Sequence, residues 1–237
     1  MAHHLLVHGA WGGGWVWDDV VPRLEDRGHR VTVVDQLPST GTDPGALGDL
    51  RSDVTLVQQV LAGIDEPVVL VGHSYGGMVI TELADDPRVR HSVYVAAFWP
   101  QRGQSLLDLA GEGPLPAWIE PRDDGSLAVS RDLDTVREAL CADLSREQAA
   151  ASRDRLVLQS VAAITTPSTA PERGHPTTYV VCTRESDDSI PVAAQEAMAS
   201  RADRVVRLSS AHMAPLSVPD ALARALADVA ELTGARA

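Results

Sequence analysis

The chain has 237 residues and a formal net charge of −13, from 33 acidic against 20 basic side chains. That length holds one sizeable core with an elaboration, and the acidity argues against nucleic acid or an anionic membrane surface as a partner. With no membrane-length apolar run, no basic leader at the N-terminus, and only Cys141 and Cys182, far apart and without metal-ligand spacing, a cytoplasmic protein without disulfide framework or zinc site is expected.

Leu5 to His8 reads as a short buried strand, followed by the glycine-rich loop Gly9 to Gly14, whose backbone must approach something closely. The loop fits neither G-x-G-x-x-G nor a P-loop, so a nucleotide reading is weak. Trp15 to Arg27 carries apolar residues at helical spacing and ends at Gly28, and Val31 to Val34 is the next strand. Leu50 to Ile64 reads as a helix. Val68 to Val71 is a third strand, Gly72-His73-Ser74-Tyr75-Gly76 a sharp turn, and Gly77 onward a helix that ends before Pro87. A fourth strand spans Ser92 to Phe98. Continuous apolar strands alternating with helices predict an α/β fold with a mostly parallel central sheet of about six strands, covered on both faces.

From Trp99 to Pro176 the alternation stops. This stretch is rich in proline, glycine and charge, with helical patterns near 131–141 and 146–164, and is expected to be an inserted helical cap (99–176) on a core formed by 1–98 and 177–237. Strands at Thr178 to Thr183 and Val205 to Leu208, with helices from Val192 and Pro219, complete the core.

A serine hydroxyl is a poor nucleophile, so Ser74 carries chemistry only if a base and an orienting acid follow it in the chain. His212 lies in the loop after the last strand, at the same sheet edge as Ser74. Three carboxylates, Glu185, Asp187 and Asp188, lie in the loop after the preceding strand. Asp187 is favoured because it stands four positions before Pro191, which starts the next helix, where related folds usually carry an acid; Asp188 and Glu185 stay open. The oxyanion site is expected from the backbone amides of Tyr75 and Ala10. Trp11, Trp99, Trp118 and Met213 are candidates for lining a substrate pocket. His3 and His4 point to opposite faces of a strand, and His8 and His73 read as packing residues beside the site. No metal and no cofactor is expected.

These blocks resemble the α/β-hydrolase superfamily and, within it, the plant methylesterase and hydroxynitrile lyase group with its bacterial esterase relatives. The resemblance rests on Val7-His8-Gly9-Ala10-Trp11, Val71-Gly72-His73-Ser74-Tyr75-Gly76-Gly77, Tyr94 to Pro100 and His212-Met213-Ala214-Pro215-Leu216. It implies a Ser74, Asp187, His212 triad, an oxyanion hole from Ala10 and Tyr75, and a helical cap. Lyases of this group carry threonine after the first-loop histidine and lysine after the catalytic one. Gly9 and Met213 stand there in this chain, which is the esterase pattern. Two departures are Ala211, where relatives usually have aspartate, and a longer acid loop. A serine esterase acting on a small-molecule ester, as monomer or homodimer, is therefore expected ahead of a lyase or cyclase using the same triad, or a non-catalytic ligand receptor.

Overall fold

β-Branched runs separated by glycine-bounded loops build a parallel sheet in this protein. The structure is a computed structural model that describes residues 1–111, 113–184 and 189–234. In chain order, β1 (His3–Val7) is followed by a 3-10 turn at Gly14–Trp17, α1 (Val21–Glu25), β2 (Arg30–Val33), β3 (Thr40–Gly41) and α2 (Leu50–Ala62). β4 (Val68–His73), α3 (Gly76–Thr81) and β5 (Val89–Val95) come next. They are followed by α4 (Leu106–Ala110), β6 (Ile119–Pro121), β7 (Ser126–Val129), α5 (Leu133–Leu140), α6 (Arg146–Arg153), β8 (Leu158–Ser160) and α7 (Val161–Thr165). The described chain closes with β9 (Thr177–Cys182), α8 (Val192–Ala199), β10 (Arg204–Leu208), α9 (Ala214–Ser217) and α10 (Pro219–Gly234).

The main sheet has the order β10-β9-β5-β4-β1-β2, and every pairing in it is parallel. Side chains alternate across it, so each strand feeds two cores. Leu5, Val7 and Leu70 pack with Leu61 and Met78 on one face, while Leu6, Val69 and Val71 pack with Trp17, Leu24, Leu222 and Leu226 on the other. Register aligns the carboxyl ends: Val7 pairs with Gly72, His73 with Val95 and Leu208 with Cys182. The loops after β1, β4, β9 and β10 therefore leave one edge together, where ligands bind in such sheets.

Several boundaries differ from expectation for local reasons. The Trp15–Arg27 pattern splits because Pro22, which lacks an N–H, suits the first turn of a helix and starts α1 there. The strand expected to reach Phe98 stops at Val95, where Ala96 takes a positive φ of 40°. The 99–176 segment is not purely helical. Its β6, β7 and β8 join β3, from the first half of the chain, in a second, antiparallel sheet of order β3-β8-β7-β6. The helix expected over 146–164 ends at Arg153, and Val157 instead donates its N–H to the Trp11 carbonyl at 2.9 Å.

Candidate active site

Ser74 sits between β4 and α3 with φ at 53°, a left-handed backbone that costs a non-glycine residue roughly 1–2 kcal/mol. Close packing holds it there. A Cβ on Gly72 would lie 2.6 Å from the Gly76 carbonyl oxygen, and one on Gly76 would lie 2.7 Å from the Val7 carbonyl oxygen. Only glycines let strand and helix cross at this separation. The Ser74 N–H donates to the Val95 carbonyl, and its own carbonyl accepts from Gly77 and Phe98 at 3.0 and 3.1 Å.

His212 is buried in the loop between β10 and α9, and shares with Ser74 a small cavity of about 30 Å³. Gly9, Ala10, Trp11 and Met213 also line it, as do Val16, Leu140 and Leu156. Ser189 Oγ lies 3.4 Å from His212 Nε2, so the described end of the loop after β9 meets the imidazole. Glu185, Asp187 and Asp188 lie outside the described residues. The His212 loop is tied to the 99–176 segment: Asp143 Oδ2 accepts from the Ala211 N–H at 2.8 Å, and the Leu140 carbonyl accepts from Met213 at 3.2 Å.

Two histidines on the strand ends brace the site. His73 donates from Nε2 to the His212 carbonyl at 3.0 Å, and burial, aided by the nearby His212 ring, pushes its pKa down to about 3. It is a neutral strut. His8 Nε2 accepts from the Leu37 N–H at 3.1 Å, which leaves Nδ1 protonated to donate to the Gly9 carbonyl at 2.8 Å. Burial holds its pKa near about 4.

Each of the two expected oxyanion amides belongs to a peptide unit whose carbonyl is already committed. The Gly9 carbonyl is tied by His8, and the Ser74 carbonyl by Gly77 and Phe98. In a trans peptide the N–H points opposite to the C=O, so fixing one fixes the other. Among the described residues neither the Ala10 nor the Tyr75 N–H donates to a protein acceptor. A backbone donor left this way suits an anionic oxygen.

Of the candidate pocket residues, Trp11 and Met213 line the cavity and Trp118 stands behind Trp11, edge to face at 5.1 Å. Trp99 does not reach the cavity. Its indole stacks on Tyr94 at 4.4 Å, with the guanidinium groups of Arg173 and Arg201 at 5.0 and 4.6 Å from its ring. The Trp99 N–H and carbonyl are held by Met198 Sδ and Arg201. The sequence carried no signal for Leu140, Leu156 or Ser189, because they reach the cavity from loops and helix ends that only tertiary packing brings to this edge.

Ser74 at the strand–turn–helix junction after β4 and His212 in the loop after β10 thus meet at one cavity on the carboxyl edge of the sheet. The sequence matches the alpha/beta hydrolase family over residues 5–225. The chain belongs to that family. A carbendazim hydrolyzing esterase of a Nocardioides species is 45% identical over 46% of this chain, and the match spans 47% of that protein, about half its length. Polyneuridine aldehyde esterase of Rauvolfia serpentina is 28% identical across 97% of this chain and 96% of its own. Among solved structures, a pyrethroid hydrolase from Sphingobium faniae superposes with a TM-score of 0.82 at 27% identity, covering 97% of both chains. Among the described residues of this α/β hydrolase no helix is long and apolar enough to cross a membrane, and no group of three or more His, Cys, Asp or Glu is arranged to hold a metal ion.

Proposed function

We propose that this α/β hydrolase cleaves small carboxylic esters through an acyl-enzyme on Ser74. The observation that carries the reading is one cavity lined by a strained Ser74, by His212 and by the Ala10 backbone, with the uncommitted Tyr75 amide next to the serine. His212 takes the Ser74 proton as Oγ attacks the ester carbonyl, and the Ala10 and Tyr75 amides hold the oxyanion. The tetrahedral intermediate collapses, the C–O bond to the alcohol breaks, and His212 returns the proton to the departing oxygen. Water, deprotonated by His212, then attacks the acyl-enzyme and releases the acid and Ser74. Asp187 is the proposed orienting acid, and the 99–176 segment, which supplies Leu140 and Leu156, the proposed cap.

Gly9 supports ester hydrolysis over cyanohydrin cleavage. A Cβ there would stand 2.8 Å from Ser74 Cβ, so the threonine of the lyase pattern has no room beside this serine. The names of the relatives point the same way. Ser74→Ala tests the proposal on p-nitrophenyl acetate: turnover is expected to fall by about a thousandfold or more, and no acyl adduct should be trapped by mass spectrometry. Wild-type turnover in that variant would overturn it.

A further inference from the structure

The side chain of Tyr75 runs away from the cavity into the core, where it is fully buried. Its hydroxyl donates to Asp53 Oδ2 at 2.6 Å, and Asp53 Oδ1 accepts from the Ser39 N–H at 2.8 Å. Ser39 Oγ accepts from Gln159 Nε2 at 3.1 Å, and Gln159 Oε1 accepts from the Trp11 N–H at 3.3 Å. Ser39, Asp53 and Gln159 are also fully buried. One line of hydrogen bonds thus joins the residue after the nucleophile to the residue after Ala10.

Asp53 is the costly member. Burial pushes its carboxyl up to about 6, and among the described residues no lysine or arginine pairs with it. What an ionised carboxylate supplies there is a short, directional hydrogen bond to each donor. The Ser74–Tyr75 peptide is clamped at its carbonyl by Gly77 and Phe98, and the Tyr75 ring is clamped by Asp53. Likewise the Gly9–Ala10 peptide is clamped at its carbonyl by His8, and the next peptide is clamped at the Trp11 N–H by Gln159. Neither expected oxyanion amide can swing without breaking one of these clamps, and the line holds the side chain or the peptide next to each.

We propose that Asp53, Ser39 and Gln159 are positioning residues of the oxyanion site, one buried relay through which β8 of the 99–176 segment sets the direction of the Tyr75 and Ala10 N–H groups. This rests on the hydrolase reading given above. Steady-state kinetics of the full chain on p-nitrophenyl acetate, with thermal unfolding of each variant, tests it. Tyr75→Phe removes one hydroxyl and keeps the ring, and Gln159→Leu keeps the volume at the far end. Each is expected to lower kcat by about tenfold or more with KM within about twofold, because the lost alignment acts on the transition state. The double variant should cost no more than the worse single one, since both break the same relay. Asp53→Asn, which retains an acceptor for Ser39, should keep more kcat than Asp53→Leu. Unchanged kcat in both Tyr75→Phe and Gln159→Leu, with only the unfolding midpoint lowered, overturns the relay, as do losses that multiply in the double variant. Ser74→Ala serves as the separate control: if that variant keeps turnover, the hydrolase reading fails, and the relay with it.

Discussion

Gly9 packs against Ser74 so closely that a single methyl group is a test of the site. In Gly9→Ala the new Cβ would meet Ser74 Cβ at 2.8 Å, and Ser74 is already held in a left-handed turn. Something must shift, and the strained serine is what the methyl pushes. Overpacking of this kind costs roughly 1–3 kcal/mol of stability. Turnover on p-nitrophenyl acetate should fall further than stability, by about tenfold or more, because the displaced Cβ carries the proposed nucleophilic hydroxyl; equal activity with a lowered unfolding midpoint would place the shift elsewhere. The acid is tested in the same way, residue by residue: Asp187→Asn is expected to lose about ten-thousandfold in kcat, while Asp188→Asn and Glu185→Gln lose little. At this scale the meeting of Ser74 and His212 at one cavity was legible, because the glycine-flanked serine has a local pattern and the histidine follows the last strand of the sheet. Asp53 was not, since nothing in α2 distinguishes a carboxylate that meets Tyr75 from one that faces water.

Whole elements followed their periodicity wherever one face or both are buried over several residues. The strands of the parallel sheet are runs rich in Val and Leu bounded by turn residues, so their order along the chain could be read directly. The second sheet could not. β3, β6 and β8 have only two or three residues each, too few to display alternation, and β3 pairs with a partner more than a hundred positions away. Those short strands and the end of α5 grip the two loops of the site. Asp143, just beyond α5, is the grip that can be released alone. Asp143→Ala leaves the Ala211 N–H without its acceptor and loosens the loop that carries His212. The expected cost is about 1–3 kcal/mol for an unsatisfied buried donor, with kcat lowered about tenfold. Asp143→Asn, which still offers an acceptor, should recover most of both. Chemical denaturation and steady-state kinetics on the pair check this; a stability loss with kcat intact would show that the His212 loop holds its place unaided.

The response of the whole molecule to acid is set by histidines buried in neutral form. Burial lowers the pKa of His4, His8, His91 and His175 to about 4 each, and that of His73 to about 3, from an ordinary 6.5. Above pH 6.5 none of them distinguishes folded from unfolded chain. Below it the unfolded chain binds five protons that the folded one refuses, so stability falls with falling pH until about pH 4, and for His73 until about pH 3. Each unmatched proton contributes a slope of about 1.4 kcal/mol per pH unit. Asp53 acts with the opposite sign. Its folded pKa of about 6 exceeds the ordinary 3.8, so the folded state takes up that proton first and gains stability between pH 6 and 3.8. It offsets about one histidine, leaving four unmatched protons over that interval. Relief of the −13 charge also favours the folded state on acidification, but it comes from dispersed surface groups that about 0.15 M salt largely screens. The histidines therefore dominate. Against a typical domain stability of about 5–15 kcal/mol, a net slope of about 5.5 kcal/mol per unit predicts acid unfolding between about pH 6 and 4. Unfolding midpoints measured in salt from pH 7.5 down to 4 should fall steeply below pH 6. Asp53→Asn, which removes the opposing proton, should make the fall steeper still over pH 6 to 4, and an unchanged slope in that variant would mean that Asp53 keeps an ordinary carboxyl in the folded protein.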